Sequence, residues 1–446
     1  MRDYMSVVRE AGEHHAAGRF NEAAFLYEHL LGAVPEDPVV LYLYGTLNSQ
    51  MKRFGTAITM LERSTQLGGD ELSEVWHNLG VAYRSEGHAD RAVAAYKRGV
   101  ELAPDNAELL AMLAGAYVNN GTPATALEWA ENALKIEPGN PHARNHKALA
   151  LMELGKYRQA WPYYRSRFEL PGLSACPRPY DVPRWGGERV GTLAIHGEQG
   201  IGDEILFMSC FEEVAKRADR VVIECEHRLC KLFERSFGAP CYPSHDTLIK
   251  HEKPDAYIAM GDLWSIVYDK KKPSGNPFLK TDPTAVAHWE SVIGHNTIGI
   301  AWHGGTKGTH QELRNAPLDM WAQLMEPGGS FVSLQYGEDA PAQAAELGIP
   351  HHQEALNDLD EFAALVAACS CVVTVCQSAV HFAGGLGVPC YVLTPKAAAW
   401  RYCQDMPWYR SVELVRQDGD WLNPFIEVGK RIADYRGIQR TEPSAA

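Results

Sequence analysis

No cysteine occurs before Cys176 in this chain of 446 residues, and none of its ten cysteines forms a Cys-x-x-Cys pair. That spacing offers neither a disulfide framework nor a zinc site, and leaves the cysteines to act as small buried hydrophobes. Long apolar runs are missing too: none approaches the roughly 20 residues that a membrane span requires. The start, Met-Arg-Asp-Tyr-Met-Ser, lacks the apolar stretch of a secretory signal, so a cytoplasmic location is expected. Basic charge is also in short supply, with 42 Lys and Arg against 56 Asp and Glu for a formal net charge of −14. This argues against nucleic acid as the main partner, because phosphate contacts need a basic surface. The 46% hydrophobic and 22% charged content is that of a soluble globular chain, and its length suffices for about three domains.

The first 170 residues repeat themselves. Units begin near Tyr4, Pro38, Ser73, Ala107 and Pro141, at separations of 34, 35, 34 and 34 residues. This is the tetratricopeptide period. Within the third unit Trp76, Leu79, Gly80, Tyr83, Ala92, Tyr96 and Pro104 fall on the large, small and breaker positions of that pattern. The fourth unit repeats them with Leu110, Leu113, Ala114, Tyr117, Ala126, Ala133 and Pro138. The fifth keeps Ala148, Leu151, Ala160 and Tyr164. Small residues at those places let the two helices of a pair touch, and large ones fill the adjoining hole. Stacked pairs make a superhelix whose concave face holds a peptide or protein. A purely structural or dimerising arm is the plainer reading of the same pattern.

Between 171 and 190 the pattern fails at Pro171, Pro177, Pro179 and Pro183, which marks a linker. Short apolar strands and amphipathic helices then alternate, which predicts parallel α/β architecture. A first lobe spans 191–285, with strands at 192–195, 220–225 and 256–259 and a helix over 228–237. Polar, proline-bearing residues 270–295 read as a second linker. A second lobe, 296–436, has strands at 297–302, 330–334, 372–375 and 389–393 and a helix over 359–368.

Around His196-Gly-Glu198-Gln-Gly200-Ile-Gly202-Asp203 a strand, a glycine turn and a helix follow in order, the helix running through Leu206, Phe207, Cys210 and Val214 to Arg217. Such a turn delivers side chains to the carboxyl end of a parallel sheet. The glycine spacing fits neither the dinucleotide fingerprint nor a Walker loop. A carboxylate at the mouth of the turn repels phosphate, so Asp203 is expected to face a hydroxyl. In the second lobe, the loop His303-Gly304-Gly-Thr-Lys307-Gly-Thr309 offers backbone N–H groups and an ammonium to an anion, and Arg314 could add a bidentate contact. Gln335 follows the next strand at the same edge. In Cys376-Gln377-Ser378-Ala-Val-His381 a strand ends and a small-residue helix begins, a natural phosphate site. An ordinary Ser cap and a hydrogen-bonded core His account for the same residues.

The glycine turn together with Ser378-Ala-Val-His381-Phe-Ala-Gly-Gly-Leu-Gly387-Val-Pro resembles the ADP-heptose:lipopolysaccharide heptosyltransferase family, and more closely the bacterial proteins that fuse tetratricopeptide repeats to such a domain, some of them in protein or flagellin glycosylation. The resemblance covers about residues 185–435. It implies an α plus α/β chain: a tetratricopeptide superhelix followed by two Rossmann-like lobes of the glycosyltransferase-B type. It further implies an inverting reaction without metal or resident cofactor, with a nucleotide sugar bound mainly by the second lobe. The family's proposed base maps onto Asp203, with Glu198 as an orienting group or substitute base. Gly200, Gly202, His303, Gly304, Lys307, Arg314, Gln335, Gln377, Ser378, His381, Trp400 and Arg401 become candidate donor-binding residues. The family's Asp-Thr pair is replaced by Cys376-Gln377. Three readings follow: a transferase whose arm recruits a protein acceptor, a scaffold with an inactive α/β domain, and a transferase acting on lipid-linked glycan.

Overall fold

The computed structural model describes residues 4–170, 178, 180–244, 252–269, 271–305, 311–325, 329–403 and 406–441. The chain divides into two compact units, Met1–Leu154 and Gly155–Ala446.

The first unit is a run of antiparallel helix pairs: α1 Tyr4–Ala16, α2 Phe20–Ala33, α3 Pro38–Gln50, α4 Phe54–Gln66, α5 Ser73–Ser85, α6 Ala89–Leu102, α7 Ala107–Asn119, α8 Pro123–Ile136 and α9 Pro141–Glu153. The first helix of every pair starts where the sequence period puts the start of a unit. Capping explains the register: Asp37, Asn106 and Asn140 accept hydrogen bonds from the first free N–H groups of α3, α7 and α9, and Pro38 and Pro141 take the first helical position. Where a pair closes, glycine lets the helices touch. A methyl group on Gly80 in α5 would lie 2.7 Å from the ring of Tyr96 in α6, which is itself fully buried. The tight turn inside each pair uses a left-handed residue, Gly18, Gly87 and Gly121 in three pairs but Lys52 (φ 58°) in the second.

The second unit opens with α10, Tyr157–Tyr164, and a 3-10 turn over Arg165–Glu169. The sequence assigns this helix to the fifth repeat, yet it packs inside the second unit: Tyr157 meets Trp408 at 5.4 Å and Tyr268 at 6.0 Å, and Trp161 and Tyr164 meet Trp400. Two parallel sheets follow. The first has the order β3-β2-β1-β4, from β1 Val190–His196, β2 Ala218–Cys225, β3 Cys241–Pro243 and β4 Ala256–Ala259. The second has the order β6-β5-β7-β8-β9, from β5 Ile298–Ala301, β6 Phe331–Ser333, β7 Cys371–Val375, β8 Cys390–Thr394 and β9 Val412–Arg416. Every pairing is parallel, and the second order is the flavodoxin-like version of a doubly wound sheet. The central strands β7 and β8 are almost wholly buried, as covered parallel strands must be.

Four elements differ from the sequence reading. The helix after the glycine turn ends at Met208, and a separate short helix, Phe211–Ala215, follows. Residues read as a polar linker contain the helix Pro283–Ile293, capped by Asp282 and anchored by buried Trp289, whose indole N–H donates to Glu361 at 2.9 Å. The short strand β3 and the edge strand β9 carried no run long enough to be read.

Candidate functional site

Because all strands in each sheet are parallel, the loops after β1 and β4 lie at one edge of the first sheet. Those after β5, β6, β7 and β8 lie at one edge of the second. In the first set, the left-handed position of the glycine turn falls on Gln199 (φ 66°) rather than on a glycine. Its side chain is held in place, donating to the Tyr164 hydroxyl at 3.0 Å and accepting from Arg401 at 2.9 Å. Gly202 answers to packing: a Cβ there would lie 2.5 Å from the His381 ring, so its bare backbone admits the small-residue helix Ser378–Leu386.

Asp203 occupies the third position of the helix Ile201–Met208, where its carboxylate accepts from the N–H of Gly200 at 3.3 Å. Gly200, not Asp203, is the cap residue. The other oxygen of Asp203 forms an ion pair with the Arg401 guanidinium, both side chains being 18% exposed. Burial by itself lowers the Arg401 pKa, but the Asp203 charge and hydrogen bond together with Tyr164 and Tyr402 outweigh it, and the net shift is upward. Glu198 is committed elsewhere. It takes two hydrogen bonds from Arg167, at 2.5 and 2.9 Å, and one from the Gly261 N–H at 2.9 Å. Arg167 also pairs with Asp262, which in turn holds Arg184, so four charges form one buried network. A carboxylate so occupied is a strut, and no free oxygen is left to serve as a base.

In the second set, Gln335 is fully buried and bridges two loops: its carbonyl accepts from the N–H groups of Trp302 and His303, and its amide donates to the Tyr336 carbonyl. Its amide nitrogen lies 3.2 Å from Nδ1 of His303, and burial lowers the His303 pKa. Gly304 donates to Asn315 at 3.2 Å and lies so close to Gln377 that a Cβ would sit 2.6 Å from it. Lys307 lies outside the described residues. Arg314 makes no hydrogen bond or ion pair among the described residues, yet its charge is felt by Cys376 and by Tyr402. Gln377 donates to Thr374 at 3.2 Å while its buried carbonyl oxygen has no partner. Ser378 is the first residue of the small-residue helix, and the cap position, Gln377, gives no side-chain bond to it.

His381 is sealed. Its Nδ1 lies 3.0 Å from the Tyr409 hydroxyl and its Nε2 3.0 Å from that of Tyr402. Burial, reinforced by Arg401, pushes its pKa down to about 3, so the ring is neutral and one tyrosine donates to it while the other accepts. Trp400 is buried among Trp161, Tyr164, Phe207 and Trp408, where no base could stack on it. The structure thus joins Asp203, Arg401 and Gln199 in one group and His303, Gly304, Gln335 and Gln377 in another. Tyr402 and Tyr409 link them through His381. Arg167, Asp262 and Tyr409 escaped the sequence reading because nothing local to them is patterned.

Two Asp-x-Asp pairs, Asp358-Leu-Asp360 and Asp418-Gly-Asp420, fall in the second lobe, and the metal-free expectation has to accommodate them. Asp358 caps the helix Leu359–Ala368 and pairs with Lys231, and Asp360 takes Arg235 in a two-pronged contact at 2.5 and 2.7 Å. Asp418 and Asp420 are exposed beyond the end of β9. Among the described residues no three His, Cys, Asp or Glu side chains are grouped to hold an ion.

The family model of the tetratricopeptide repeat matches residues 33–170. The N-terminal helices are tetratricopeptide repeats. Protein FlbA of Caulobacter vibrioides is 28% identical over 456 residues, covering 93% of this chain and 76% of that protein. BBSome complex member BBS4 of Bos taurus is 31% identical over 175 residues, 39% of this chain and 31% of its own length. Protein O-mannosyl-transferase TMTC1 of Mus musculus is 26% identical over 124 residues, 27% of this chain and 13% of that protein. A stretch of 124 residues is too short to take in both sheets. Among solved structures, a crystal structure of MamA aligns with 36% of this chain and 92% of its own at 24% identity and a TM-score of 0.33. The tetratricopeptide match runs on to residue 170, past the end of the first compact unit. The helix α10 therefore carries repeat spacing in Ala160 and Tyr164 while its aromatic face belongs to the α/β core. No helix among the described residues is long and apolar enough to cross a membrane.

Proposed function

We propose that the second unit is a glycosyltransferase of the two-lobed B type, which moves a sugar from a nucleotide sugar to an acceptor, and that the tetratricopeptide repeats recruit a protein as that acceptor. The observation that carries the reading is a division of charge between the loops of the two sheets. A carboxylate, Asp203, stands on the first set, while the second set holds a guanidinium, Arg314, that makes no ion pair among the described residues, and a helix N-terminus at Ser378; the buried Gln377 carbonyl beside it is left to accept from a sugar hydroxyl. In this reading Asp203 takes the proton of the acceptor hydroxyl as that oxygen attacks the anomeric carbon. Ser378, the helix N-terminus and Arg314 meet the charge building on the leaving diphosphate. Arg401, now paired with Asp203, turns to the phosphates and frees the base. Lys307 is assigned to the same anion. The basic side chains and helix N-terminus do the work a divalent ion would otherwise do.

The second reading, a tetratricopeptide scaffold whose α/β part has lost its chemistry, is favoured by one observation: the ion pair to Arg401 occupies the proposed base. A panel of nucleotide sugars separates the two. A ligand at 100 times its Kd adds roughly 2.7 kcal/mol to the stability of the protein that binds it, so one member of the panel is expected to raise the melting temperature. The same nucleotide sugar is expected to be turned over in excess EDTA. No shift with any of the panel removes the transferase reading; activity lost in EDTA and restored by Mn²⁺ brings Asp418 and Asp420 into the site.

A further inference from the structure

Away from the loops just described, the end of β2 and the helix Cys230–Phe237 bring three thiols together. Cys225, the last residue of β2, is fully buried, and its sulfur lies 3.7 Å from that of Cys230. Cys241 opens the neighbouring strand β3, in register with Ile223, and its thiol donates to the Ala239 carbonyl at 3.4 Å. Cys230 differs from its partner in three ways. It is partly exposed. It is the first residue of an eight-residue helix, a position that favours a thiolate. The hydrogen bond with Cys225 lowers its pKa, with burial and the nearby Glu234 and Glu226 charges acting against it, while the Cys225 thiol is pushed up by the same contact, by Cys241 and by burial. Six of the nine described cysteines, by contrast, are buried: Cys210, Cys225, Cys369, Cys371, Cys376 and Cys390.

We propose that Cys230 is a peroxide-reactive thiol that closes a reversible disulfide with Cys225. The Cys230 thiolate attacks one oxygen of a hydroperoxide and the O–O bond breaks. The departing oxygen leaves as water (from hydrogen peroxide) once it takes a proton, and Cys230 becomes a sulfenic acid. Cys225 then attacks that sulfur: the S–S bond forms, the S–O bond breaks, and the Cys225 proton leaves with the oxygen as a second water. Two thiols lose two electrons and one peroxide gains them. The sulfurs have to close from 3.7 Å to the 2.05 Å or so of a disulfide, a movement within reach of a side-chain rotation in Cys230 at the helix start. The bond ties the end of β2 to the helix whose Lys231 and Arg235 hold Asp358 and Asp360.

The test uses the full chain, reduced and then exposed to stoichiometric hydrogen peroxide, with free thiols alkylated and peptides mapped by mass. The expected result is a Cys225–Cys230 cross-link that is reversed by dithiothreitol and forms at least about tenfold faster than any oxidation of Cys210 or Cys369. Cys225→Ala is expected to stop at a sulfenic acid on Cys230 that dimedone traps. If that variant does not fold, the cross-link in the parent protein decides alone. Oxidation of Cys230 no faster than that of the buried thiols, a cross-link to Cys241 instead, or direct passage to sulfinic acid would each overturn the proposal.

Discussion

Asp203 meets two demands that a single substitution can separate. Its carboxylate caps the Gly200 N–H and neutralises Arg401, and in the proposed reaction it also takes a proton. Asp203→Asn keeps the shape but leaves a mostly buried guanidinium without its counter-charge, at an expected cost of about 1–3 kcal/mol. As a base, its loss is worth at least about 100-fold in transfer rate. Arg401→Gln breaks the same ion pair and retains the carboxylate. Turnover measured at saturating donor is therefore expected to fall far more for Asp203→Asn than for Arg401→Gln. Equal losses would make Asp203 a strap between loops and nothing more. The neighbouring Glu204 carries a different prediction. Burial raises its pKa to about 8 from an ordinary 4.5, so between those values the folded chain holds a proton that the unfolded chain releases. Stability must then fall as pH rises through that window. Glu204→Gln still accepts from the Glu226 N–H and has nothing to titrate. It is expected to match the parent near pH 4 and to exceed it near pH 8 by up to about 4 kcal/mol, read from denaturant midpoints. His381 works in the opposite direction, losing stability as pH falls below 6.5 toward its folded value of about 3.

At the scale of elements, the repeats show how a local rule is kept and where it is broken. Three of the turns inside pairs place a glycine in the left-handed region, and the second pair places Lys52 there at φ 58°. A side chain in that conformation costs roughly 1–2 kcal/mol that glycine does not pay. Part of this gain is offset by the extra freedom of glycine in the unfolded chain. Lys52→Gly is expected to raise stability by about 0.5–1 kcal/mol, measured as a shift in melting midpoint; destabilisation would mean that the Lys52 side chain makes a favourable contact the turn geometry does not reveal. The repeats were legible because their grammar is local: period, cap, small residue, large residue. The strands β1, β4, β7 and β8 were legible for the same reason, as short apolar runs between breakers. The helix Pro283–Ile293 was not, because only Trp289 is buried along it and its remaining surface reads as linker.

At the scale of the whole molecule, the boundary between arm and α/β unit matters for any truncation. A cut after residue 170 removes Arg167 and leaves Glu198 and Asp262 buried beside Arg184 alone, and stranding a charge of that kind is strongly destabilising. A cut after Leu154 follows the boundary of the compact units. Fragment 155–446 is expected to unfold cooperatively, fragment 171–446 to melt well below it or not to fold. If the repeats recruit the acceptor, the longer fragment loses transfer to protein and keeps slow donor hydrolysis. Protein glycosylation by 155–446 at the parental rate would refute recruitment.

By itself the sequence determined the repeat register, the alternation of strand and helix, and the places where strands end in glycine or small residues, since each of these depends on neighbours a few positions apart. The assignments that the sequence left undecided were those that depend on which distant group arrives at the same place. Glu198 and Asp203 stand five residues apart on one turn and look alike as candidate bases. One is locked by Arg167 and Gly261, and the other faces Arg401, partners 31 to 198 positions away. His381 and Trp400 sit at the carboxyl end of a sheet, as ligand-binding residues do, yet both are enclosed by tyrosine and tryptophan side chains from other elements. A carboxylate or a ring is free to act only if no buried partner has already satisfied it, and that depends on the tertiary structure.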